Sequence, residues 1–382
     1  MSETSNRPSL RSVTLDDIAE SIVDGPFGSS LKTSDYVESG VPVLQGKNIT
    51  GNQFVWKEVR YISEKKAAQL KRSSTVVGDH LLVKIGSIGY SAILDDLNGH
   101  AFAVIPANLA RIRPNHSAVD DQYLHRVLTS EGVVRHFQKV ASKTAQPALS
   151  LKKIRTTPIP LPPLDEQKRL AAILDAADAL RAKRRESLVE LDALLQSTFL
   201  EMFGDPVTNP MGWDKPILES ICRPKQWPTI KKTQLLDCGF PVYGANGQIG
   251  FYSEYNHAEA TVLITCRGAT CGTINVCVPM SYVTGNAMTL DDLDIARVEL
   301  RFLAHALEVT DFTSVITGVA QPQITRQSLR QLSVPVPPLD LQRRFARIVE
   351  SIEQQKAVQR AHLAELDTLF ASLQSRAFRG EI

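Results

Sequence analysis

The stretch IPLPPLDEQKRL at residues 159–170 is written again, with small changes, as VPVPPLDLQRRF at residues 334–345. Sliding the chain against itself by 175 residues extends the match without a gap, from residues 145–203 onto residues 320–378, with 22 identities in 59 positions. That is a true internal repeat, and each copy is one structural unit. Its opening is rich in proline, which fixes φ and has no N–H to give to a ladder, so it reads as an edge strand or extended segment. A helix follows. Its apolar positions run Leu170, Ile173, Ala177, Leu180, Leu188, Leu191, Leu195 and Phe199 in the first copy, and Phe345, Ile348, Ile352, Leu363, Leu366, Phe370 and Leu373 in the second. Spacings of three and four, with one slip at the same place in each copy, mark a narrow apolar stripe. Neither copy contains Pro or Gly for about 40 residues, which at about 1.5 Å per residue predicts helices of about 60 Å.

The natural partner of each stripe is the other copy. A tandem repeat whose copies pair closes as a pseudo-dimer within one chain, and a two-fold axis makes long helices antiparallel. The expected fold class is α+β: two α/β domains joined by two long repeated helices that form an antiparallel coiled coil with an intramolecular pseudo-two-fold. The boundaries read as residues 1–155 for the first domain, 156–204 for the first repeat, 205–330 for the second domain and 331–382 for the second repeat. The two domains echo each other faintly. GVPVLQGKNI (40–49) is like GFPVYGANGQI (239–249), and GDHLLVKIGSIGYSAIL (78–94) is like EATVLITCRGATCGTINV (259–276), each of the latter pair a strand, a Gly-containing turn and a strand. DQYLHRVLTSEGVVRHFQ (121–138) and VELRFLAHALEV (298–309) read as helical.

At 382 residues the chain is long enough for two domains with cores of their own, and no apolar run approaches the ~18 residues of a membrane span. The N-terminus has no apolar signal region, so the cytoplasm is the expected location and no membrane partner is expected. The five cysteines, Cys222, Cys238, Cys266, Cys271 and Cys277, are odd in number and lack the C-x-x-C spacing of zinc sites, so they are expected to be buried thiols on strands and no metal is expected. A net charge of +2 requires any basic face to be local.

Enzymatic readings find no chemistry to rest on. PLDEQK (163–168) gathers nuclease-like carboxylates and a lysine, but consecutively rather than on neighbouring strands, and the second copy has Leu341 and Arg343 where the first has Glu166 and Lys168. GVPVLQGKN (40–48) has one residue too many between its glycines for a phosphate-binding loop, and Asn48 where a Ser or Thr would bind Mg²⁺. The Pro-Pro pairs at 162–163 and 337–338 lack the Asn or Asp before them and the aromatic residue after them that a DNA methyltransferase needs. No cofactor is expected.

Taken together, the duplicated PLPPLDEQ and PVPPLDLQ segments with their helices, DGPFGSSLKTSDYVESGVPVLQGKNI (24–49) and FPVYGANGQIGFYSEYN (240–256) resemble the specificity subunit of type I restriction-modification enzymes, over essentially the whole chain. The resemblance implies two target-recognition domains that each read one half of a split double-stranded DNA site, and a coiled coil that spaces them. It also implies surfaces for two methyltransferase subunits and, through the complex, for motor and endonuclease subunits, with no catalysis by this chain. The competing reading is a coiled-coil scaffold that binds only proteins, which two large and unlike domains argue against.

Base-edge readout needs donors and acceptors on loops that reach a groove. In the first domain these are Gln45, Lys47 and Asn48, and the turn at Lys84 and Ser87; in the second, Tyr243, Asn246 and Gln248, with Arg267 and Thr270. The alternative for each is a turn residue that satisfies its own backbone, above all Asn246 beside Gly247. RPKQWPTIKK (223–232) suits phosphate contact through Arg223, Lys225, Lys231 and Lys232 beside Trp227. The loops SKTAQP (142–147) and TGVAQP (317–322), just before the repeats, could face either DNA or a partner.

Overall fold

The computed structural model describes residues 11–26, 30–318 and 322–382. Among these, eight α-helices are present: α1 (Glu64–Gln69), α2 (Asp121–Leu128), α3 (Glu131–Val140), α4 (Leu151–Arg155), α5 (Leu164–Phe203), α6 (Leu300–Glu308), α7 (Arg326–Arg330) and α8 (Leu339–Ala377). The chain divides into two compact units, Met1–Lys183 with Leu363–Ile382, and Arg184–His362. The division falls within both long helices, so each unit holds half of α5 and half of α8.

Helices α5 and α8 are 40 and 39 residues long. Each starts six residues before the first apolar stripe position, because the chain can turn helical as soon as its proline pair ends. Pro163 gives its carbonyl to the Gln167 N–H at 3.0 Å, and Pro338 does the same for Gln342 at 3.3 Å. Asp165 and Glu166 in the first turn of α5, and Asp340 in that of α8, meet the positive end of the helix dipole.

In the first unit Leu170 and Ala171 of α5 join a core that includes Ala377 of α8, while further along α5 the Arg181 Nε lies 2.6 Å from Asp367 Oδ1 and its guanidinium sits over the Phe370 ring at 4.4 Å. Rising numbers on one helix meet falling numbers on the other, so the helices pack antiparallel. In the second unit Phe199 and Phe203 of α5 pack edge-on against Phe345 of α8, and Lys356 Nζ lies 2.7 Å from Asp192 Oδ1. Arg181 and Lys356, like Asp192 and Asp367, stand 175 residues apart, so one polar contact is made twice by the two copies of the repeat. Leu180, placed in the stripe by periodicity, is 51% exposed instead.

The faint sequence echo between the domains is one topology used twice. The first unit has a four-stranded antiparallel sheet in the order Ser91–Ile93, His80–Val83, Leu109–Pro114, Ala19–Asp24; the second has Ile274–Val276, Val262–Thr265, Ala287–Asp291, Arg223–Gln226 in the same order. A second sheet repeats an antiparallel neighbour and a parallel one around one strand. Val41–Val43 lies between Arg60–Ile62 and Ala103–Val104, and Phe240–Gly244 lies between Gly247–Tyr252 and Tyr282–Val283. The 121–138 segment is two helices, because Ser130 turns the chain and caps α3 by accepting from the Val133 N–H.

The proline-rich segments pair as edge strands. Pro158–Pro160 runs antiparallel to Ser12–Thr14, with ladder bonds at Thr157 and Leu161, so the prolines occupy positions where no N–H is needed. Leu332, Val334 and Val336 bond Leu218, Pro216 and Asp214 in the same pattern. Behind them the cores are strongly apolar. The second gathers Phe199, Phe203, Phe302 and Phe345 among its buried residues, each contributing about 1.5–3 kcal/mol by burial. Cys222, Cys266 and Cys277 are buried, and burial pushes the Cys222 thiol up to about 12. Cys238 and Cys271 depart from expectation, the first exposed before the Phe240 strand and the second half-buried in a turn, and all five cysteines lie beside strands or in turns rather than on strands. Among the described residues no helix is long and apolar enough to cross a membrane, and no group of three side chains is arranged to hold a metal ion.

Candidate nucleic-acid interface

In the first unit the strand Val41–Val43 leads into a short 3₁₀ turn at Gly46–Asn48, and the strand His80–Val83 leads into the turn at Lys84–Ser87. Asn108 lies between them: its carbonyl accepts the Lys84 N–H at 2.9 Å, and a Cβ on Gly46 would stand 3.0 Å from its Nδ2. The side chains differ in what they have left to offer. Asn48 is buried, its Oδ1 accepting the Gln45 N–H at 2.8 Å and its Nδ2 donating to the carbonyls of Val55 and Lys57 at 3.1 and 2.8 Å. Lys84 is buried as well, with Nζ 2.7 Å from Asp24 Oδ2. Gln45 is half-buried and Ser87 exposed. Lys47 is exposed and pairs with Glu58 at 2.9 Å, holding that carboxyl below its usual range.

In the second unit the same two loops touch directly. The Thr270 hydroxyl donates to Asn246 Oδ1 at 2.8 Å, and the Thr265 hydroxyl donates to the Ala245 carbonyl. Asn246, Gln248, Arg267 and Thr270 are exposed together, whereas Tyr243 is buried in its strand. In RPKQWPTIKK, Arg223 pairs with Asp292 at 2.8 Å, Lys225 Nζ rests 3.4 Å from the centre of the Trp227 ring, and Lys231 and Lys232 are exposed. The Trp227 indole N–H is shared between Thr289 Oγ1 and Asp291 Oδ2 at 3.2 Å each, so this tryptophan anchors the segment.

The described ends of both pre-repeat loops lie beside the second turn of their unit. Ala148, which closes the loop 142–147, bridges Ile85, and the loop is exposed, with Lys143 on it. Gln323 bridges Arg267, and the Gly268 N–H donates to the Pro322 carbonyl at 3.1 Å; Val319, Ala320 and Gln321 lie outside the described residues, as do Phe27, Gly28 and Ser29 of the earlier motif. Tyr90, 45% exposed, is an addition to the candidate set. It follows Ser87 in the same turn, with its N–H on the Ser87 carbonyl at 3.3 Å, and no motif in the sequence singles it out. Each unit therefore presents a rim of loops at the ends of equivalent strands. The second rim is rich in exposed amides, hydroxyls and cations, whereas more of the first rim's polar groups are spent on its own structure.

The family model described as the type I restriction modification DNA specificity domain matches residues 10–190 and again residues 210–368. Among characterised proteins, the putative type I restriction enzyme MjaX specificity subunit of Methanocaldococcus jannaschii is 21% identical over 96% of this chain and 92% of its own length. The EcoBI specificity subunit of Escherichia coli is 25% identical over 50% of this chain and 40% of its own. Among solved structures, the type I restriction-modification S subunit from M. genitalium superposes with a TM-score of 0.62 at 18% identity, covering 99% of this chain and 98% of that one. Two matches of one family model, the first running from the first unit's strands into α5 and the second from the second unit's strands into α8, account for a fold whose sheets, proline-rich segments and long helices all occur twice, and the chain belongs to the type I restriction-modification DNA specificity family.

Proposed function

We propose that this chain is the non-catalytic DNA-recognition subunit of a type I restriction-modification complex, reading a two-part asymmetric site and recruiting two methyltransferase subunits and, through them, motor and endonuclease subunits. Residues before about 155 read one half-site and residues 205–330 the other, while 156–204 and 331–382 set the spacing. One observation carries this reading: the same sheet order supports two rims whose side chains differ. A duplicated scaffold with unlike rims recognises two different sequences, whereas a spacer alone would need neither rim. Gln45, Lys47, Ser87 and Tyr90 are the first rim's candidate contacts, and Asn246, Gln248, Arg267 and Thr270 the second's. Asn48, Lys84 and Tyr243 support these rims from beneath.

Exchange of either domain tests the division of labour. A chimera carrying a foreign first domain, assembled with its methyltransferase partner, is expected to methylate sites altered in one half only. A chimera that changes both halves, or neither, overturns the assignment.

A further inference from the structure

The duplicated motif contains one side chain whose placement its helix alone does not require. Gln167 and Gln342 are buried one turn into α5 and α8, and each reaches out of its helix into the domain it carries. The Gln167 Oε1 accepts the Asp120 N–H at 2.9 Å, and its Nε2 donates to the Ala118 and Pro162 carbonyls at 3.2 and 2.8 Å. The Gln342 Oε1 accepts the Glu299 N–H at 2.8 Å, and its Nε2 donates to the Arg297 and Pro337 carbonyls at 2.9 and 2.6 Å. Asp120 and Glu299 are the N-caps of α2 and α6, their own carboxylates accepting from Tyr123 N and Phe302 N. They lie outside the 59-residue repeat and are different residues, yet the N–H of each donates to its glutamine and the carbonyl two residues before each, Ala118 or Arg297, accepts from it.

We propose that Gln167 and Gln342 are positioning residues that fix the angle of each DNA-reading domain on its own long helix, and thereby set how sharply the protein discriminates between differently spaced half-sites. The proposal rests on the two-part reading above. In the first unit Arg126 of α2 also pairs with Asp175 and Asp178 of α5 at 2.7 and 2.8 Å, so the glutamine bonds are the directional contacts that both joints share. The other shared contacts are apolar, Leu170 and Ala171 sharing a core with Tyr123, Leu124 and Val127, and Phe345 and Val349 sharing one with Phe302 and Leu303. Such contacts are non-directional and tolerate small rotations. The amide bonds are directional, and tilting α2 or α6 against its long helix would break the two that leave the motif, stranding the N-cap N–H and the carbonyl two residues before it. A reader free to tilt would still recognise its bases but would accept a neighbouring spacing.

The test uses the full chain assembled with its methyltransferase partner and measures binding to duplexes carrying the native site with its spacer unchanged, shortened or lengthened by one base pair. Gln167→Met and Gln342→Met keep side-chain length and remove the bonds. Each is expected to reduce the preference for the native spacer about threefold to tenfold, the size of one net hydrogen bond, with the half-site bases unchanged. Gln167→Asn, which keeps the amide's acceptor and donor on a shorter arm, should fall between wild type and Gln167→Met, and it carries the measurement if the methionine variants do not assemble. An unchanged spacer preference, whether affinity falls evenly or not at all, overturns the proposal. A wild-type complex that shows no two-part site overturns the functional reading instead, so the two failures are distinguishable.

Discussion

Lys84 in the first unit and Cys266 in the second stand at the same point of the same sheet. Each gives its N–H to an asparagine carbonyl, Asn108 or Asn286, and each accepts at its own carbonyl the N–H of the residue two past the pre-repeat loop, Leu149 or Ile324. Across the sheet the partners also correspond: Lys84 faces Asp24 as a buried ion pair at 2.7 Å, and Cys266 faces Gln226, whose Nε2 donates to its sulfur at 3.0 Å. The backbone under the two rims is thus one design, and what fills it differs in charge. Hydrogen-bonded strands with apolar faces accept many sequences. A polar pair beneath a rim must instead be satisfied as a pair, so it changes only as a unit.

The largest effect expected from breaking this correspondence is at that ion pair. Lys84→Met leaves the half-buried Asp24 carboxylate beside an apolar chain and should cost about 3 kcal/mol in denaturant unfolding. The double change Asp24→Gln with Lys84→Cys, which writes the second unit's pair into the first, should recover most of that loss. If the double variant is no more stable than the single one, the two sites are not interchangeable and the comparison fails.

Asn48 and Asn246 looked alike as candidates, each on the loop after a Val-containing strand. Asn48 is buried with three hydrogen bonds to backbone, so Asn48→Ala should destabilise by about 2–4 kcal/mol, whereas exposed Asn246→Ala should cost less than about 1 kcal/mol and act on recognition of one half-site. Paired melting and binding measurements would separate these roles; equal stability losses would show that Asn246 supports its rim as much as Asn48 does.

A further difference is expected with pH. His125 on α2 faces buried His80, with ring centres 6.4 Å apart, and corresponds to Ala304 on α6. Burial, with the nearby His80 and Arg126, lowers His125 from 6.5 to about 4, against a smaller opposing effect of Asp178. Because the folded value lies below the unfolded one, the unfolded chain binds the extra proton. The stability held above pH 6.5 should therefore fall as pH drops from about 6.5 to about 4, by roughly 3 kcal/mol. His125→Ala should flatten that slope after correction for its stability at pH 8. A slope that persists unchanged would assign the acid sensitivity to other groups.

The sequence by itself determined the duplication, the length and antiparallel pairing of α5 and α8, the edge-strand character of the proline segments and the strand–turn–strand echo. These follow from period, from the absence of helix breakers and from backbone chemistry that is local. It did not reveal that the helices begin six residues before their apolar stripes, that Leu180 is exposed, or that Cys238 is exposed in a turn. Nor did it show why the motif needs its glutamine, since the groups that Gln167 and Gln342 satisfy include backbone atoms 47 and 43 residues away. The candidate rims were legible as loops, because Gly, Asn and Ser mark turns. The division of their side chains was not. Whether Lys84 faces DNA or Asp24 depends on a strand 60 residues distant, and whether Asn48 is free depends on how the chain at Val55 and Lys57 folds back over it. Burial and hydrogen-bond satisfaction are properties of the assembled sheet, so tertiary structure alone decided which polar residues remained available for recognition.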